Sequence, residues 1–410
     1  MDQGQAGTQV CIAGGGPAGI MLGLLLAREG IDVTVLEKHD DFFRDFRGDT
    51  VHPSTLNLID ALGLRAGFDA IPHIPLPRLD AVINGIRLHA IDLTSLPKPN
   101  SFLTLMPQWD LLDLLAEAGA QHPSFHLRMG VEAIGVLEEK GRVVGVRTAD
   151  GEDIPAELTI AADGRASTVR RALGLTPREY GVPIDVLWFR IPRPSVPLPD
   201  TLLWANEGGL LVTIPRPDYL QCGLLIPKHG FEEVKAAGVA AFRSRVADLS
   251  PRLTESVLAI ESIDEVKLLS VQVDRLEQWW RPGALCIGDA AHAMSPVFGV
   301  GINYAIQDAV AAARLVIPAL RTPGSLDRAE AIDRACAAVQ ERRQAPTAAM
   351  QAMQRRVHQA ISTHSLAKIV DNPPTRGQRA ALRVILPIVR RVAARLIGYG
   401  FRPERLRSSA

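Results

Sequence analysis

Apolar positions along the N-terminal stretch change period twice. Val10-Cys11-Ile12-Ala13 is a short continuous apolar run that stops at Gly14-Gly15-Gly16, the apolar segment 20–27 follows, and Val33-Thr34-Val35-Leu36 leads to Glu37 and Lys38. Runs of these lengths divided by glycines predict strand, helix, strand. Two later stretches, 73–103 and 178–270, are rich in proline and in strand-length runs such as 187–192, 202–204, 210–214 and 220–226, bounded by Pro, Gly or Asp. They predict a second, mainly antiparallel sheet. Period 2 puts Val186, Trp188 and Arg190 on one face and Leu187, Phe189 and Ile191 on the other, without saying which face meets a ligand. From residue 328 onward the pattern is helical and Ala-rich. Near its end Ile388, Val389, Val392 and Leu396 form an apolar stripe expected to pack on the body, with membrane-surface docking the alternative and Gly398 and Pro403 as helix stops.

At 410 residues the chain is long enough for two or three domains' worth of core. Lys plus Arg and Asp plus Glu both total 45, so no overall field favours nucleic acid or a membrane. Arginines do cluster after residue 376, opposed there by Glu404. Cys11, Cys222, Cys286 and Cys336 are widely separated and show no metal-ligand spacing, which predicts buried thiols and no metal. The N-terminus lacks a basic region and an apolar signal core, so the expected location is cytoplasmic.

Glycine spacing gives the first chemistry. In Gly14-Gly15-Gly16-Pro17-Ala18-Gly19, Gly14 allows a tight turn, Gly16 lets a pyrophosphate approach the helix N-terminus, and Gly19 lets the helix pack closely on the sheet. Glu37 stands where an acid binds ribose hydroxyls. Three further segments speak about a dinucleotide. Arg47, in a polar loop, suits a phosphate or ring-edge clamp, or is an ordinary surface arginine; His52 beside it reads as a local hydrogen-bonding residue before a proton shuttle. Gln108 follows Pro107 at a helix opening. Asp163-Gly164 ends a strand, where ligands of open α/β sheets bind, although Ser167 there also suits simple helix capping. Gly288-Asp289 ends another strand, and Pro296, Phe298, Gly299 and Gly301 form a loop that opens a helix through Ile302 and Asn303. Asp289 suits a sugar-alcohol hydroxyl, and the helix end would stabilise negative charge on a reduced flavin. His292 reads as packing rather than as a base.

Taken in order, Gly14-Gly15-Gly16-Pro17-Ala18-Gly19, Asp163-Gly164, and Gly288-Asp289 followed by Pro296 and the glycine loop resemble the three signatures of the class A FAD-dependent monooxygenases of the para-hydroxybenzoate hydroxylase type, over nearly the whole chain. The resemblance implies a Rossmann-like α/β FAD-binding domain assembled from 1–72, 104–177 and 271–327, an inserted mainly antiparallel β-sheet substrate domain from 73–103 and 178–270, and a C-terminal helical region, 328–410. It further implies that Gly14, Gly16, Pro17, Ala18, Gly19, Glu37 and Lys38 hold the ADP half, Arg47 and Gln108 line the pyrophosphate and ribityl path, Asp163 and Gly164 serve FAD and the reduced nicotinamide, and Asp289 takes the ribityl chain. Pro296, Gly299, Gly301, Ile302 and Asn303 would approach the flavin ring. Phe298 and Tyr304 depart from the small and aliphatic residues expected there.

The implied reaction uses NAD(P)H and O2 to insert one oxygen atom, through a flavin hydroperoxide, into an aromatic or other electron-rich apolar molecule. Trp188, Trp204 and Phe298 are pocket candidates, although core packing is the preferred reading of both tryptophans, since aromatic strand residues usually fill interiors. No catalytic base is identifiable. Rival readings are a halogenase or prenyl-lipid reductase on the same scaffold, or a non-catalytic prenyl-binding escort. The halogenase signature Trp-x-Trp-x-Ile-Pro has only a partial match at 187–192. An external flavin reductase is compatible with the single complete nucleotide fingerprint.

Overall fold

The computed structural model of the chain describes residues 7–43, 50–195, 201–206, 208–216, 218–362 and 376–406. Its central eight-stranded sheet runs Trp280–Arg281, Ala284–Cys286, Asp153–Ala161, Thr8–Ala13, Val33–Glu37, Phe125–Met129, and the antiparallel hairpin Ala133–Glu139/Arg142–Thr148 is attached to Asp153–Ala161. Register decides what this sheet can do. Leu36, Ala13, Ala161 and Cys286 are level across four parallel strands. The three motif segments therefore leave the sheet side by side, stitched by Gly14 N–H to Leu36 O (2.7 Å), Ala162 N–H to Ala13 O (2.8 Å) and Ile287 N–H to Ala161 O (3.0 Å).

Helix Pro17–Arg28 is buried along almost its whole length, between helices Gln108–Ala120 and Gly301–Leu320. An all-round apolar sequence forms a helix here because every face is covered. The same reasoning applies to 297–320, which is long and apolar enough to cross a membrane but is mostly buried inside the protein. All four cysteines are buried and free, and burial pushes the Cys11 and Cys336 thiols up to about 12.

A seven-stranded sheet follows the order Lys267–Leu269, Ile184–Pro192, Tyr219–Pro227, Gly209–Pro215, Thr201–Asn206, Arg78–Ile83, Ile86–Asp92, antiparallel apart from one parallel pair. The expected strand runs all fall inside these strands. The stretch 178–270 also holds a 19-residue helix, Phe231–Leu249, that strand patterning did not predict; it is kinked at Gly238, where φ is +81°. Cross-strand register settles the two faces. Leu187, Leu224, Leu211 and Trp204 form one row and pack with Phe242 and Val246 of that helix. Trp188, Gly223, Val212 and Leu203 form the row on the other face, where Trp188 and Val212 meet Leu76, Leu103, Leu105 and Ile214.

The C-terminal helices are Ser325–Ser362 and Arg376–Tyr399. The second corrects the expected packing. Ala394, Ile397 and Gly398 face the body, while Ile388, Val389 and Val392 are 62%, 52% and 52% exposed. Small residues allow the close approach: a Cβ on Gly398 would lie 2.6 Å from Leu96 Cδ1. Gly398 is thus a contact inside the helix, and Gly400, at φ +76°, follows its end.

Two buried histidines tie these helices to the body. His52 Nδ1 meets the Ile397 carbonyl at 2.6 Å, and His358 Nε2 meets Ser295 Oγ at 2.7 Å. Burial lowers both pKa values from 6.5 to about 4. The unfolded chain therefore binds protons that the folded chain refuses between pH 6.5 and 4. Stability is expected to fall as pH drops through that window, by roughly 3 kcal/mol for the fully buried His52. Urea titrations at stepped pH check this, and His52→Gln should flatten part of the slope.

Candidate functional site

The site grows from the level ends of the four parallel strands. Gly14 has φ +107°, and a Cβ there would lie 2.4 Å from the Ala162 carbonyl oxygen; a Cβ on Gly19 would lie 1.9 Å from the Gly14 carbonyl oxygen. Both positions are closed to any side chain. At Gly16, by contrast, a Cβ meets nothing within 4 Å. Gly16 caps helix Pro17–Arg28 with no side-chain hydrogen bond and no acid in the first turn. Free N–H groups and an uncancelled positive end face that space, as phosphate binding requires.

Glu37 Oε2 accepts from Gly15 N–H at 3.0 Å and Oε1 from His39 N–H at 3.2 Å. It fixes the glycine turn and stays only partly buried, whereas Lys38 is exposed. Arg47 lies outside the described residues. Gln108 is the half-buried first residue of its helix, which Pro107 caps without a side-chain bond. Arg216, buried just past strand Gly209–Pro215, acts on the same helix: burial raises the Asp110 carboxyl pKa and the Arg216 charge works against that rise.

Asp163 is more occupied than its motif suggests. Its carboxylate accepts from Ser167 Oγ, from Thr168 N–H (2.8 Å) and from Val169 N–H (3.1 Å), while Ser167 Oγ accepts from Arg170 N–H (2.9 Å). Asp163 and Ser167 together hold the turn into helix Thr168–Ala172. Gly164, at φ +83°, leaves open space beside it. Asp289 is 36% exposed, with one long contact of 3.3 Å from Arg165 Nε. Its acceptor capacity is largely available for hydroxyls.

The Gly288-Asp289 turn is held from below. Asp308 Oδ2 accepts from Gly288 N–H (3.1 Å) and pairs with His292 Nε2 (2.5 Å), and its Oδ1 pairs with Arg343 Nε (2.8 Å). Burial pushes the Asp308 carboxyl up, but the His292 ring and Arg343 guanidinium outweigh it and hold it below the usual carboxylate range. Sequence reading passed over Asp308 and Arg343; the available signal was an acid in the middle of a long apolar helix. A Cβ on Gly288 would lie 3.2 Å from Ala18 Cβ and 3.4 Å from Ala305 Cβ. The first and third motifs are therefore neighbours in space.

The loop 296–300 brings a second uncapped helix start to the same place. Val300 precedes Gly301–Leu320 without a side-chain cap, and Gly301 has open space where a Cβ would be. Phe298 holds φ +69°, and a Cβ on Gly299 would lie 2.9 Å from Thr50 Oγ1. The Asn303 side chain turns inward. Its Oδ1 accepts from His52 N–H (3.0 Å) and Thr55 Oγ1 (2.6 Å), so it anchors the helix to 50–55. Phe298 packs with Met294, Val300 and Tyr304. Trp204 fills the core behind the second sheet, its Nε1 donating to Thr213 Oγ1 at 3.1 Å. Trp188 lies on the opposite face, and its buried Nε1–H has no partner among the described residues.

These residues fit FAD on their own chemistry: two uncapped helix N-termini with glycine-cleared space and an available carboxylate between them. Comparison with known proteins agrees. The FAD binding domain family matches residues 7–351. The chain is 35% identical to a 6-methylpretetramide 4-monooxygenase of Streptomyces rimosus over 98% of this chain and 95% of that protein. It is 26% identical to a protoasukamycin 4-monooxygenase of Streptomyces nodosus subsp. asukaensis over 80% and 84%. Among solved structures, PqsL of P. aeruginosa in complex with 2-aminobenzoylacetate shares the fold with TM-score 0.76 at 23% identity, covering 89% of this chain and all of that one. The flavin-dependent brominase Bmp2 has TM-score 0.75 at 18% identity, covering 95% and 93%.

Gly16→Ala is expected to leave the apoprotein's melting temperature unchanged while weakening FAD binding at least about tenfold, because the added methyl enters space only a ligand uses. Flavin fluorescence quenching and thermal melts of the apoprotein separate the two effects. Asp308→Asn is expected to cost about 3 kcal/mol of stability in urea unfolding, since it removes the carboxylate shared by buried His292 and Arg343.

Proposed function

The chain belongs to the FAD binding domain family and is an FAD-dependent monooxygenase, and from that premise we propose how its residues divide the work and what it oxidises. The division assigns 1–72, 104–177 and 271–327 to FAD, 73–103 and 178–270 to substrate, and 328–410 to the helical region. When bound, FAD supplies hydride acceptance from a reduced nicotinamide, the reductant typical of this family, and activation of O2, with water as the second product.

The residues then bind, orient and exclude water. The Gly16 helix end takes the pyrophosphate, Asp289 accepts from ribityl hydroxyls, and the uncapped backbone start of helix Gly301–Leu320 faces the ring edge where negative charge gathers. Asp163 and Gly164 shape the rim, and Glu37 holds the glycine turn on the ribose side. The Trp188 face of the second sheet roofs the ring. A dry roof matters because water entering an oxygen-transfer site diverts it to hydrogen peroxide.

The substrate we propose is an electron-rich, polyketide-like aromatic molecule. The observation that carries this is the Trp188 face, where the half-buried apolar side chains of Trp188, Val212 and Leu203 stand in one row across the sheet. The relative acting on 6-methylpretetramide supports the same class.

The purified yellow holoenzyme is expected to bleach anaerobically with NADPH or NADH, and to consume the nucleotide and O2 faster when a hydroxylated polycyclic aromatic is present. Failure of both nucleotides to bleach the flavin indicates an external reductase. Absence of stimulation across a panel of aromatic polyketides overturns the substrate class. Trp188→Ala is expected to raise KM for such a substrate roughly tenfold with little change in kcat, the loss of uniform apolar contact.

A further inference from the structure

The outward face of helix Arg376–Tyr399 has no role in the site described above. At about 100° per residue, Ile388, Val389 and Val392 lie within a quarter to a third of a turn of one another, while Ala394 and Ile397 lie on the opposite side. The helix is thus held to the edge strand Ile86–Asp92 and to 93–95 by its small-residue side, and its aliphatic side faces out. A surface helix normally does the reverse.

Charge indicates what covers this face. Arg391 and Arg395 are exposed along one margin of the aliphatic stripe. The acid nearest in sequence, Glu404, is buried and fully engaged by Arg342 (2.6 and 2.8 Å) with Arg314 at 3.5 Å, so it does not neutralise them. The chain as a whole carries no net charge, which makes this cationic margin a local feature. Leu88, 38% exposed on the edge strand, adds a further aliphatic side chain on the Trp188 side of the second sheet.

We propose that this face docks the enzyme on an anionic phospholipid surface, the aliphatic residues entering the headgroup boundary and the arginines pairing with lipid phosphates. A bilayer suits the face better than a protein partner because its exposed core is aliphatic and carries no aromatic anchor of the kind that dominates protein interfaces. Docking there sets the second sheet beside a phase in which apolar aromatic molecules accumulate.

The test uses FAD-loaded full-length enzyme and sedimentation with vesicles of phosphatidylcholine alone or mixed with phosphatidylglycerol. The enzyme is expected to partition at least about tenfold more strongly onto the anionic vesicles and to be released by high salt. Ile388→Ser/Val392→Ser and Arg391→Gln/Arg395→Gln should each abolish most of that binding while flavin absorbance and melting temperature stay unchanged, since these side chains face away from the body. Enzyme remaining in the supernatant with both vesicle types overturns the proposal, as does anionic binding that neither double variant reduces. A dimer seen by light scattering and lost in Ile388→Ser/Val392→Ser would assign the face to a second copy instead.

Discussion

Absence of room for a Cβ at Gly14 and Gly19 is the constraint on which the rest of the structure depends. The Gly14 turn presses against the Ala162 carbonyl, and helix Pro17–Arg28 presses against the Gly14 carbonyl, at separations that no side chain tolerates. This contact locks the first strand's exit to the Asp163 segment. The level register of Leu36, Ala13, Ala161 and Cys286 then brings the Gly288-Asp289 turn alongside. A site for one long dinucleotide is built from segments more than 250 residues apart because four strands end at the same height.

The carboxylates divide by what surrounds them. Asp163 and Asp308 are consumed internally, one by three donors at a helix start and the other by Gly288, His292 and Arg343. Asp289 keeps its lone pairs because its neighbours are consumed. The buried Asp308 pair therefore acts through Asp289: it holds the backbone that carries it, in a region too apolar for a mobile charge.

Much of this was legible in the chain. Period, glycine placement and the strand-end acids located the three motifs, and alternation located the strands of the second sheet. Other features were closed to sequence reading for physical reasons. Period 2 is symmetric, so only cross-strand register could send Trp188 to one face and Trp204 to the other. Motif position does not reveal that Asn303 turns inward, because its partners at 52 and 55 are some 250 residues away. Hydrophobicity alone assigned Ile388, Val389 and Val392 to the interior; the observed contact selects the small side of the helix, since Gly398 lies against Leu96 where no larger residue fits.

The most direct test of the central claim is a crystal structure of the enzyme with FAD bound. The account predicts density for the pyrophosphate over the Gly16 helix end, a ribityl hydroxyl within hydrogen-bond distance of Asp289, and the ring edge against the 299–301 backbone beneath the Trp188 face. A pyrophosphate lying away from Gly16, or a ribityl chain that leaves Asp289 uncontacted, would contradict it.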